Sequence, residues 1–257
     1  MDQTTSAKLD TLRALQAKVD GIGSQARSEP APLVLPFEDQ AIDGVLRWGG
    51  LKLCGLHEVA AASNAQGSEA AATAFVAGIA GRFGRMVRKT SVWVIRRELP
   101  FGPGLQRCGL DPADVFFAQA SSDDEALAVM EDCLRDGSLG CVVGEVPKVD
   151  LTASRRLQLA AEAGQTPALV LKRWGRRGVC PLNELSGAVT RWRVAAAPSE
   201  PLPCPGIGRP RWRLDLARQR GGTGGSWTVE ACDERGLPTV VSGVSEGAGA
   251  GGNRRVA

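Results

Sequence analysis

Residues 60–69, AAASNAQGSE, have the composition of a loop that wraps a phosphate group. An apolar, strand-like run ends near Val59. Small residues follow, and then an alanine-rich helical pattern from about residue 68 to 83. Such loops hold nucleotide with three devices. Glycines let backbone N–H groups curl round the anion, a lysine meets the outer phosphates, and a Ser or Thr meets magnesium. Asn64, Gly67 and Ser68 are of the right kind, but Glu69 stands where the lysine is needed. A carboxylate in the first turn suits the helix dipole and repels a phosphate in the same place. Lys52 lies a strand-length away. The loop therefore reads as a degenerate phosphate loop, with Ser68 as helix N-cap and Glu69 as dipole partner.

A second device fails in the same way. Magnesium in such sites needs a carboxylate at the end of a neighbouring apolar strand. In LGCVVGEV, residues 139–146, Gly144 occupies that place and Glu145 follows it. One step along a strand turns a side chain to the other face, so Glu145 substitutes only if the strand end is irregular. These residues predict no nucleotide cofactor and no enzyme activity.

The elements that would position these residues alternate. Strand patterns at 51–59, 91–96, 115–119, 139–146 and 168–173 are separated by helical patterns at 68–83, 124–135 and 151–163. That order predicts an α/β fold with a mostly parallel sheet flanked by helices. After residue 175 the period changes to two, in TRWRVAA, PRWRLDLARQ and SWTVEAC, which predicts C-terminal antiparallel strands. Residues 1–20 read as an N-terminal helix with a stripe of Leu9, Leu12, Leu15 and Val19. Residues 21–44 read as a linker, 45–242 as the folded domain, and 243–257 as a disordered tail.

Composition narrows the classes. The chain has 257 residues, 43% of them hydrophobic, with no run near the ~20 apolar residues that span a bilayer. The polar, mixed-charge start predicts no signal peptide. Seven scattered cysteines and a single histidine, His57, argue against a metal site and read as reduced thiols in a bacterial cytoplasm. Net charge is +3, yet Lys172–Arg220 carries eleven Lys/Arg against three acids, so +8 lies there and −5 elsewhere. A basic third of the chain points to nucleic acid, to an acidic partner, or to a solvated strand face.

The arginines of that third alternate with tryptophans. Arg191 and Arg193 share one strand face opposite Trp192, and Arg211 and Arg213 share one opposite Trp212. The tryptophans are expected in the core. Four arginines on adjacent strands repel one another unless an anion meets them, and DNA phosphate or an acidic partner surface both fit. Arg155 and Arg156, neighbours on the 151–163 helix, point about 100° apart, so at least one is exposed for a partner or DNA. Asp150 is placed to cap that helix.

In order of elements, residues 91–146 resemble the RecA-type ATPase core. In that family a glutamate after the second strand polarises the attacking water, and Glu98 falls at the matching position. Its other reading is a loop carboxylate paired with Arg96 or Arg97. A closer resemblance is to the ImuA family, carried by GLHEV (55–59), VDLTASRRLQLAAEAG (149–164), TRWRVAAAPS (190–199), GRPRWRLDLARQRGG (208–222) and GSWTVEACD (225–233). It spans roughly residues 45–235. It implies a RecA-like accessory factor of the SOS-type response to DNA damage, acting in error-prone repair by translesion synthesis. Implied partners are an ImuB-type Y-family polymerase-like protein and an error-prone DNA polymerase, with contact to a RecA filament or DNA. Self-association through the N-terminal helix is a further expectation. Two alternatives stand beside it: a DNA-stimulated ATPase using Glu98 and Glu145, and a cell-division inhibitor of the SulA type.

Overall fold

The computed structural model describes residues 32–244, apart from residues 97, 176, 177 and 207. The predicted N-terminal helix and residues 245–257 of the predicted tail lie outside the described residues, while Gly243 and Val244, predicted as the start of that tail, are the last two residues of a strand.

A short pair, β1 (Val34–Leu35) and β2 (Leu51–Lys52), precedes a nine-stranded sheet. The sheet strands are β3 (Leu56–Ala61), β4 (Ser91–Ile95), β5 (Val115–Gln119), β6 (Val142–Val146), β7 (Ala168–Lys172), β8 (Thr190–Ala197), β9 (Arg211–Gln219), β10 (Gly225–Glu230) and β11 (Thr239–Val244). Their spatial order is β11-β10-β9-β8-β3-β7-β6-β4-β5. From β8 to β5 every pair is parallel, and β8 to β11 pair antiparallel. This is the mostly parallel α/β sheet with antiparallel C-terminal strands that the sequence predicts, and it is consistent with a RecA-like core.

The helices are α1 (Gln40–Asp43), α2 (Gln66–Val87), α3 (Gly102–Arg107), α4 (Asp123–Asp136) and α5 (Leu151–Ala163). Helix α2 lies on one face of the sheet, and α4 with α5 on the other. All six residues of β3 are buried, as a strand covered on both faces requires. Asp150 caps α5 as expected, accepting from Ala153 N at 2.8 Å.

The antiparallel wing hides its indoles. Trp192, Trp212 and Trp227 are buried with Phe75 of α2 and Phe37 on the α2 side. Phe37 belongs to a segment predicted as linker. Residues 33–44 instead carry β1 and α1 and bury Leu35, Phe37 and Ile42, while Ala41 O accepts from Trp227 Nε1 at 2.9 Å. The wing needs that cover because α2 alone is too narrow to shield four strands. Polar spacing concealed three apolar residues that the core needs.

His57 on β3 is a core residue. Its Nε2 lies 2.9 Å from Lys52 O, which can only accept. Its Nδ1 lies 2.8 Å from the Thr190 hydroxyl, whose oxygen also accepts from Trp192 Nε1 at 2.9 Å. The ring is thus satisfied as neutral imidazole, and burial pushes its pKa down to about 4 from 6.5. The unfolded ring takes a proton near pH 6.5 that the folded ring refuses until about 4. This residue therefore makes stability fall as pH drops through that window. As the chain's single histidine it is resolved in NMR without overlap. Its ring signals are expected not to titrate between about pH 5 and 8, and a midpoint near 6.5 would contradict the packing described.

Candidate functional site

The degenerate loop sits at the carboxyl end of β3, where parallel sheets bind ligands. Helix α2 begins at Gln66, and its N-cap residue Ala65 makes no side-chain cap bond. Ser68, expected as the cap, lies inside the first turn. It is buried under the end of β8, where its Oγ is 3.4 Å from Ala196 N. Asn64 and Gly67 are exposed.

Glu69 does more than complement the helix dipole. Arg173, the residue directly after β7, donates from Nη1 to Glu69 Oε2 and to Thr73 Oγ1, each at 2.9 Å. The same guanidinium reaches Glu145 Oε2 from Nε at 3.0 Å and from Nη2 at 2.9 Å. Glu145 Oε1 accepts from the buried Trp93 Nε1 at 2.8 Å. Glu69 Oε1 accepts from Trp174 N at 3.2 Å, and the Trp174 indole donates to Ala61 O at 2.8 Å. Every oxygen of both carboxylates is thereby engaged by the chain itself. A cation from within the protein stands between the two acids that a metal–nucleotide complex would have to address.

The face of Glu145 is a correction. Sequence spacing put Gly144 in the metal-carboxylate position and turned Glu145 away. The register of β6 with β7 is regular from Val142 to Val146, and Glu145 is the residue that faces α2. Gly144 faces α4, where a Cβ would collide with Met130. No irregular strand end is needed, and the carboxylate is consumed by Arg173.

Glu98 is exposed and forms no ion pair among the described residues. Arg96, one of its expected partners, pairs with Asp123 at 2.9 Å, and Arg97 lies outside the described residues. Glu98, Leu99 and Phe101 border a cleft of about 1110 Å³ whose inner wall is Glu69, Glu145 and Arg173.

The predicted arginine set divides. Arg191 is buried and pairs with Glu58 at 2.7 Å, so it is part of the core and offers no contact to DNA or a partner. Around Glu58 lie Ser186 Oγ at 2.7 Å and the fully buried Lys172 Nζ at 3.9 Å, whose pKa burial pushes down. Arg211 pairs with Glu200, and Arg213 with Asp215 at 3.0 Å. Arg193 faces Asp215 across the β8–β9 register. The expected mutual repulsion on these strands is largely offset by these carboxylates. On α5, Arg155 and Arg156 are both exposed, and Arg156 pairs with Glu131. Arg155 has no ion pair among the described residues.

The sequence reading missed Arg173, Trp174, Glu58 and Lys172. The charge of ALVLKR at a strand end and the acid inside the apolar GLHEV were the available signals. Among the described residues no group of three or more His, Cys, Asp or Glu could hold a metal, and no helix is long and apolar enough to cross a membrane.

Comparison of the sequence with known proteins finds named relatives. Protein ImuA of Caulobacter vibrioides is 42% identical over 211 residues, which is 79% of this chain and 84% of that protein, and the figures are the same in two strains. The cell division inhibitor SulA of Edwardsiella piscicida is 32% identical over 83 residues, 32% of this chain and 48% of that protein. No family model matches the chain.

Replacing Arg173 by Met should leave two half-buried carboxylates facing each other. Because Arg173 is 30% exposed, the cost should fall below that of a fully buried pair, at about 1–3 kcal/mol in urea unfolding. Adding Glu69→Gln to Arg173→Met should recover part of it. Arg173→Met with unchanged stability would mean that the network holds nothing.

Proposed function

The chain belongs to the ImuA family, and from that premise we propose that it is a non-catalytic RecA-like accessory factor of inducible mutagenesis. The relationship supports a part in damage-induced mutagenesis and translesion synthesis. The finer reading is that the protein works in the cytoplasm by contacts alone. Its partners are an ImuB-type polymerase-like protein and an error-prone polymerase, with DNA or a RecA filament as a further contact.

The observation that carries the non-catalytic part is the placement of Arg173 between Glu69 and Glu145. Nucleotide chemistry in a RecA-like site needs an anion-binding loop with a lysine and a free carboxylate for magnesium. Here the helix turn presents a glutamate, and both carboxylates are already hydrogen-bonded to a guanidinium. Binding a triphosphate would require breaking that network and placing phosphate against Glu69. The similarity to SulA covers under half of that protein and favours no division-inhibitor role.

Glu98 distinguishes this reading from the ATPase alternative. Glu98 is the residue that would orient an attacking water, and general-base or positioning roles of this kind are worth about 10²–10⁴ in rate. In cells that depend on this chain for damage-induced mutation, Glu98→Gln should leave the induced mutation frequency unchanged. A fall to the level of the deletion strain would favour the ATPase.

A further inference from the structure

The structure assigns a binding surface away from the degenerate loop: a corner of four arginines that we propose takes the phosphate backbone of nucleic acid. It rests on the DNA-contact half of the function proposed above, and of the arginines expected from sequence it uses only Arg155. The other three are Arg47, on the turn between α1 and β2, and Arg218 and Arg220, at the end of β9.

Short contacts join the corner. Arg220 Nη2 donates to Gly187 O at 2.6 Å. A Cβ on Gly187 would lie 3.2 Å from Arg155 Cγ, so Arg155 and Arg220 flank one glycine. Arg47 Nη1 is 3.4 Å from Arg220 O, and a Cβ on Gly221 would collide with the Arg47 guanidinium. Arg218 lies two residues before Arg220. All four side chains belong to exposed residues, and none has an ion-pair partner among the described residues. Four other arginines of the wing differ: Arg191, Arg209, Arg211 and Arg213 each meet a carboxylate, and Arg193 stands opposite Asp215 in the β8–β9 register.

The corner is also built rigidly. Gln219 is buried, and its Oε1 accepts from Arg47 N at 3.0 Å. Its Nε2 donates to Val45 O at 2.8 Å and to Thr223 O at 2.6 Å. One side chain thus ties the α1–β2 turn to the glycine-rich β9–β10 hairpin, and no acid takes part. Holding four cations together with only neutral carbonyls between them is unfavourable unless an anion is present.

Phosphate fits better than an acidic protein surface. Guanidinium forks match phosphate oxygens. The adjoining turn, Gly221-Gly222-Thr223-Gly224, has no bulk to keep a backbone away. Trp48, half-buried beneath the Arg47 guanidinium at 4.8 Å, offers an aromatic edge in place of an apolar docking patch. Backbone contacts of this kind read no sequence.

The test is fluorescence anisotropy of a labelled 30-base-pair duplex and of a 30-residue oligothymidylate with the full chain, across a range of NaCl. The wild-type protein should bind both. The variant Arg47→Gln/Arg155→Gln/Arg218→Gln/Arg220→Gln should lose at least tenfold in affinity, and its salt slope on duplex should shrink by about 3 to 4, near 0.9 per phosphate contact. Arg209→Gln/Arg235→Gln removes two exposed arginines that are already paired with Glu230 and Glu38, and it should bind as wild type. Arg155→Gln and Arg218→Gln singly break no side-chain hydrogen bond among the described residues, so they test the corner even if the fourfold variant misfolds. Each should flatten the duplex slope by about 0.9. No DNA binding by the wild type, or corner variants that bind like the wild type, would overturn the proposal. So would a polyglutamate of equal charge that competes as well as unlabelled DNA, because the corner would then belong to an acidic protein segment. The accessory reading is judged separately, by induced mutation frequency.

Discussion

One guanidinium sets the character of the nucleotide-site region. Arg173 leaves β7 at the carboxyl edge of the sheet and binds the first turn of α2 through Glu69 and the end of β6 through Glu145. It links three elements that in a nucleotide-binding relative would be linked by the ligand. A bound triphosphate with magnesium joins a helix N-terminus to a strand-end carboxylate. Here a side chain makes the same connection, with Trp93 and Trp174 satisfying the remaining carboxylate oxygens. Arg173 thereby ties the first turn of α2 and the end of β6 to β7 at the sheet edge.

The same substitution of internal for external partners recurs across the sheet. Glu58 in the buried heart of β3 is matched by Arg191, Ser186 and Lys172 on neighbouring strands and loops. Removing one member of such a buried set leaves an uncompensated charge. Both networks join β7 to its surroundings, one on each face, because Lys172 and Arg173 are consecutive and point to opposite sides. Two buried guanidinium nitrogens, Arg82 Nη1 and Arg191 Nη2, stay without a partner among the described residues, whereas the unpaired arginines of the Arg155–Arg220 corner lie at the surface, where charge is tolerated and available to partners.

The period of the apolar residues made the layout legible. Alternating strands and helices, the switch to period two after residue 175, and the inward-facing tryptophans all follow from local pattern. The 151–163 helix was readable to its ends because Asp150 and the apolar spacing agree. Residues 33–44 were not, since their three core side chains stand among prolines and acids with no period. The ligand-site chemistry was half legible. Glu69 in the lysine position is local and could be read. The pairing of Arg173 with a residue 104 positions away is not, because nothing in a strand's own pattern says which distant turn will lie above its end. The face of Glu145 failed for a similar reason: Met130, on a helix of the opposite layer, lies under Gly144 and marks which side is which.

In the function proposed above, the protein itself fills the nucleotide position through Arg173. The most direct measurement is titration of the purified chain with a fluorescent ATP analogue and magnesium, with and without single-stranded DNA. No saturable binding is expected even at about millimolar nucleotide, since the ligand must displace Arg173 and face Glu69. Saturable binding at micromolar nucleotide would contradict it, and Arg173 would then have to be a movable gate over a working site.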